Sequence, residues 1–79
     1  MKMIEEQVFH RGDNVIIRIS QNHPRYVGRE GWVCNVIECV NGKYLYSVCL
    51  FGKDKAIDER FVASYLELKR KCELNIDRR

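Results

Sequence analysis

Proline is almost missing from this chain of 79 residues, which has one, and glycine is sparse at five. A sequence so poor in both contains no linker or low-complexity tract. Long apolar runs are missing too. The richest stretch, residues 44–51 (YLYSVCLF), falls far short of the roughly 20 residues a membrane-crossing helix needs. The opening MKMIEEQVFHRGD puts Glu5 and Glu6 where a secretory leader carries its apolar segment. The expectation is a cytoplasmic protein with no targeting sequence and no membrane partner.

Catalytic and metal-binding patterns are equally scarce. The four cysteines, Cys34, Cys39, Cys49 and Cys72, form no CxxC, and no nearby histidine completes a zinc set. In a reducing compartment they read as free thiols serving as small apolar residues, although spacing alone leaves a disulfide between neighbouring strands open. His10 and His23 fall in loops without a serine or cysteine at a recognisable catalytic spacing, and no carboxylate pair sits in a motif. GREG, residues 28–31, lacks the GK[ST] ending of a phosphate loop and opens a strand rather than a helix. These absences argue against an enzyme, a cofactor, a metal or a small-molecule substrate, and for a protein that works by binding.

What is present is strand signal. Residues 14–20 (NVIIRIS) are β-branched and end in a polar loop whose Pro24 cannot continue a central strand. Residues 32–40 form a second β-rich run closed by Asn41-Gly42, the pair that favours a type I′ hairpin turn. Residues 44–51 alternate, Gly52-Lys53-Asp54 turns the chain, and short strands are expected near 55–57 and 65–68. Five short strands with tight turns predict an all-β chain, a small five-stranded antiparallel barrel whose closure removes exposed edges. Its core would draw on Val15, Ile17, Ile19, Val33, Val36, Tyr46, Val48, Leu50, Phe61, Leu66 and Leu68. One domain is all this length allows. Residues 1–8 read as an N-terminal extension, 9–68 as the barrel, and 69–79 (KRKCELNIDRR) as a short polar, basic C-terminal tail that frays or forms a short helix.

From Gly12 to Ile37 the sequence resembles the KOW motif of SH3-like barrels: G12-D13-N14-V15-I16-I17, then G28-R29-E30-G31-W32-V33, then Val36 and Ile37. The strand from Tyr46, the turn at Phe61 and the closing Y65-L-E-L look like the second half of such a barrel, so the resemblance covers about residues 9–68. It implies attachment to a nucleoprotein machine of the ribosome or RNA polymerase type. Stand-alone barrels of this size also look like small proteins encoded by phages. The two glycines have physical roles: one permits a left-handed or bulged backbone at the entry to the second strand, the other close strand approach. The first loop, residues 20–27, is longer than the usual turn of that motif.

Charge and aromatics then suggest a surface. Four arginines against Asp13 and Glu30 leave residues 10–33 at +2, and residues 69–79 stand at +3, while 34–68 carry −1. Arg25, Tyr26, Arg29 and Trp32 interleave cations with rings, and with Arg18 and Lys43 they make a candidate nucleic-acid or nucleoprotein surface. Two roles are open to Trp32: a contact residue turned outward beside inward Val33, or a lid on one end of the barrel covered by Tyr26 or Phe9. An alternative partner is a single host protein, masked through Trp32, Tyr26 and an apolar patch of Leu45, Cys49 and Phe51, because interfaces favour the same residue types.

Overall fold

The computed structural model describes residues 7–70, and the tail beyond Arg70 lies outside them. Strands β1 (Asn14–Ile17), β2 (Glu30–Glu38), β3 (Tyr44–Leu50) and β4 (Leu66–Arg70) form one antiparallel sheet in the order β3-β2-β1-β4. Single turns of 3₁₀ helix at Pro24–Tyr26 and Ala63–Tyr65 lead into β2 and β4. The all-β expectation holds. The strand count is corrected from five to four, and no ladder among the described residues closes the sheet into a barrel. Where a short strand was expected, near residues 55–57, there is only an isolated bridge of Ala56 to Cys49 on the outer edge of β3, and a second isolated bridge joins Phe61 to Tyr46. No helix of the described residues is long and apolar enough to cross a membrane.

The turn at 10–13 explains the Gly-Asp pair. Gly12 has φ +93°, a backbone that L side chains resist, and the buried Asp13 carboxylate accepts the His10 N–H at 2.9 Å. Gly12 N–H donates to Val33 O and Val33 N–H to Asp13 O, at 2.8 and 2.9 Å, so the turn is stitched onto β2. Sixteen residues further on, Gly28 stands at φ +90° and donates its N–H to Ile17 O at 2.7 Å. Gly31 plays the other part. A Cβ built there would sit against the Cys49 carbonyl oxygen and 3.0 Å from Val48 Cγ1.

Asn41-Gly42 does turn the β2–β3 hairpin, but not as type I′. Gly42 has φ +87° and, among the described residues, no non-glycine residue has positive φ. Gly42 N–H donates to Cys39 O and Cys39 N–H to Lys43 O. This is the three-residue loop in which a left-handed glycine follows an ordinary turn.

A bulge in β2 sets its core pattern. Val33 pairs with Val48 and Asn35 with Ser47, so Cys34 is an extra residue and the alternation restarts. Val33 and Val36, three apart, therefore both face the core, with Tyr46 opposite Val36. The core comprises Phe9, Val15, Ile17, Val33, Tyr46, Val48, Leu50, Phe61 and Leu66. Of the other expected members, Val36 packs against it only partly buried, and Ile19 and Leu68 are absent. Ile19 is 47% exposed because β1 stops at Ile17: the N–H groups of Arg18 and Ile19 both turn to Tyr65 O. Leu68, opposite Val15, lies on the edge strand β4 and is 42% exposed.

Candidate binding surface

Polar anchoring holds the long first loop in place. The Glu59 carboxylate accepts Ser20 Oγ–H at 2.6 Å, Gln21 N–H at 3.0 Å and Asn22 N–H at 3.2 Å. Ser20, itself buried, uses the same oxygen to accept His23 N–H, and Gln21 Nε2 donates to the Tyr65 hydroxyl. Pro24, with φ preset and no N–H to satisfy, opens the 3₁₀ turn that follows. Tyr26 N–H then donates to His23 O, and Arg29 N–H to Tyr26 O.

Burial pushes the Glu59 pKa up, but the hydrogen bonds from Ser20, Gln21 and Asn22, with His23 nearby, outweigh it and hold the group below its ordinary 4.5. A depressed carboxylate adds stability above its unfolded pKa and loses it as pH falls through the folded value. Glu59→Gln is therefore expected to cost about 1 kcal/mol at pH 7, a charged hydrogen-bond contribution discounted for solvent. In urea titrations the gap between wild type and variant should narrow below about pH 4.5. A gap that stays constant down to pH 2.5 would deny the carboxylate its role.

On this frame His23 and Tyr26 stack with ring centroids 5.3 Å apart and planes 29° apart. The Arg25 guanidinium lies 5.8 Å from the Tyr26 centroid. Beside the pair opens a cleft of about 430 Å³, with His23 and Tyr26 on one segment and Leu50, Lys53, Lys55 and Ile57 on the other. Asp54 and Asp58 also reach it.

The remaining expected site residues are dispersed. Arg18 pairs with Glu67 at 2.8 Å, both more than half exposed, an ion pair of little energetic weight. Arg29 is exposed at the entry to β2, whereas Lys43 follows the far end of that nine-residue strand, roughly 30 Å away at strand rise. Tyr26 packs on the core cluster. Trp32 precedes inward Val33 on β2 and so points through the opposite face of the sheet, partly buried, between Asn14 and Cys49. Tyr26 and Trp32 thus belong to different surfaces. Leu45 and Cys49 share the Trp32 face, but Cys49 is only 7% exposed; Phe51, past the end of β3, is 51% exposed.

Cys34, Cys39 and Cys49 are free thiols, and Cys72 lies outside the described residues. Burial, the hydrogen bond with Cys49 and the charge Cys49 would carry raise the Cys34 pKa to about 11, which keeps it a protonated thiol near neutrality. Among the described residues no three His, Cys, Asp or Glu side chains converge as a metal-ligand set.

His23, Lys53, Lys55 and Ile57 were not among the residues singled out by sequence. Gly52-Lys53-Asp54 was visible as a turn with a short strand expected after it, but the approach of this segment to Tyr26 depends on long-range docking. Comparison with protein-family models, with curated proteins and with solved structures finds no match.

Proposed function

We propose that the chain is a non-enzymatic binding module that attaches to nucleic acid, free or within a nucleoprotein machine, through the 23–29 segment and the adjoining 53–55 turn. The observation that carries this reading is the Arg25–Tyr26–His23 stack: cation and rings held together on an anchored loop. Stacking supplies affinity for unpaired bases at about 1–3 kcal/mol each, and Arg25, Lys53 and Lys55 supply cations for phosphates. The fold we propose is a variant of the SH3-like barrel. Support comes from Gly12, Gly28 and Gly31 in the positions where that motif uses them, and from the two bridges along the outer edge of β3.

Fluorescence anisotropy with labelled single-stranded RNA and DNA tests the reading. Affinity should fall as salt rises, with a log–log slope of about −2 for three phosphates neutralised. Tyr26→Ala should weaken binding roughly 5- to 150-fold, a loss of one stacked base, in a chain shown by circular dichroism to remain folded. Absence of binding at low salt ends the proposal. A stoichiometric protein still captured from nuclease-treated lysate, and lost with Trp32→Ala, would instead favour the protein-masking alternative.

A further inference from the structure

The cleft beside the aromatic pair has features that a backbone-tracking surface does not need. Its floor includes buried Leu50 and half-buried Ile57, and its volume of about 430 Å³ lies within the usual range for small-ligand pockets, about 300–1,000 Å³. Its exposed lip alternates sign, Lys53, Asp54, Lys55, with Asp58 beyond. Such a lip is poorly suited to the dense, uniform phosphate array of a duplex, which rewards a continuous basic stripe. It suits one base with the phosphates on either side of it. The π-face meets rings and aliphatic groups, Lys53 and Lys55 take phosphate, and the carboxylates can accept from an exocyclic amine.

We propose that this cleft receives a single unpaired nucleotide of a bound strand, making the protein selective for single-stranded or bulged nucleic acid over duplex. This rests on the nucleic-acid reading above and narrows it. The same chemistry, a base carrying phosphate, also exists in free mononucleotides, so the test has to separate the two sources.

The probes are a single-stranded oligonucleotide carrying one 2-aminopurine, its blunt duplex, and free AMP and CMP. Wild-type protein should bind the single strand roughly tenfold or more tightly than the duplex and quench the 2-aminopurine on stacking. Ala56→Phe, which places a ring on the exposed Ala56 lining the cleft, should abolish the quench and the preference while residual salt-dependent binding survives. Should that variant fail to fold, Ala56→Leu, a smaller intrusion at the same exposed side chain, serves instead and should lose the single-strand preference. Equal binding of single strand and duplex, or a quench that persists in Ala56→Phe, overturns the inference and leaves the nucleic-acid reading standing. Free mononucleotide binding as tightly as the strand overturns the commitment to a strand. If neither oligonucleotide binds at low salt, both fail.

Discussion

Gly31→Ala is expected to destabilise the fold by about 3 kcal/mol, near the upper end for overpacking, because backbone must yield. The added methyl meets the carbonyl oxygen of Cys49, with the carbonyl carbon and Val48 Cγ1 each 3.0 Å away. No flexible side-chain tip is available to swing aside. Gly31 pairs with Val15 on one side and Leu50 on the other, so parting β2 from β3 to admit the methyl disturbs both ladders in the middle of the sheet. A domain of this size has a total stability of only some 4–12 kcal/mol, so the variant should show a much lower urea midpoint. Gly28→Ala is the control. It meets nothing within 4 Å and suffers only from φ +90°, about 1–2 kcal/mol. If Gly28→Ala proves the more damaging of the two, the close approach at Gly31 does not govern strand spacing.

These two glycines also mark how far sequence reasoning reached. The division of labour between a left-handed glycine and a close-approach glycine was legible, because each follows from the absence of a side chain at a defined point of strand entry. The Asn41-Gly42 hairpin was legible in position but not in turn type, since both loop geometries require a left-handed glycine and only the residues before it differ. The core was legible along β1 and β3 and at Val33 and Leu66. It failed at Ile19 and Leu68, where β1 ends and β4 forms an edge. Apolar alternation continues through both residues, and nothing in it reports that the sheet has run out.

The candidate surface was harder to read, for a reason of distance. Arg25, Tyr26, Arg29 and Trp32 are neighbours in sequence, but the chain turns at Gly28 and the pleat of β2 sends Trp32 through the other face. Conversely, Tyr26 shares a cleft with residues 53–58 because Glu59 grips Ser20, 39 residues away. A single carboxylate receiving three donors across that separation leaves no periodic trace. Local interleaving of charge and aromatic residues identified one lip of the cleft and could not supply the other.

The largest loss is expected at Tyr46, where three parts of the chain meet. Its ring is fully buried and packs edge-on to Phe9 at 5.2 Å and 83°. Its hydroxyl accepts the N–H groups of Val8 and Phe9, at 3.0 and 3.4 Å, and its backbone exchanges two 2.8 Å hydrogen bonds with Phe61. Tyr46→Ala opens a cavity against Phe9 and should cost about 3–5 kcal/mol, enough to abolish a cooperative unfolding transition in so small a domain. Tyr46→Phe separates the two contributions. It keeps the ring and strands the Val8 and Phe9 N–H groups, one of them buried, at about 1–2 kcal/mol. Hydrogen exchange should localise that smaller loss to the amides of residues 8 and 9, with β2 and β3 protection falling only by the global amount. Should Tyr46→Phe match wild type in both stability and exchange, the hydroxyl is idle, and residues 8 and 9 are held to the sheet by the Phe9 ring alone.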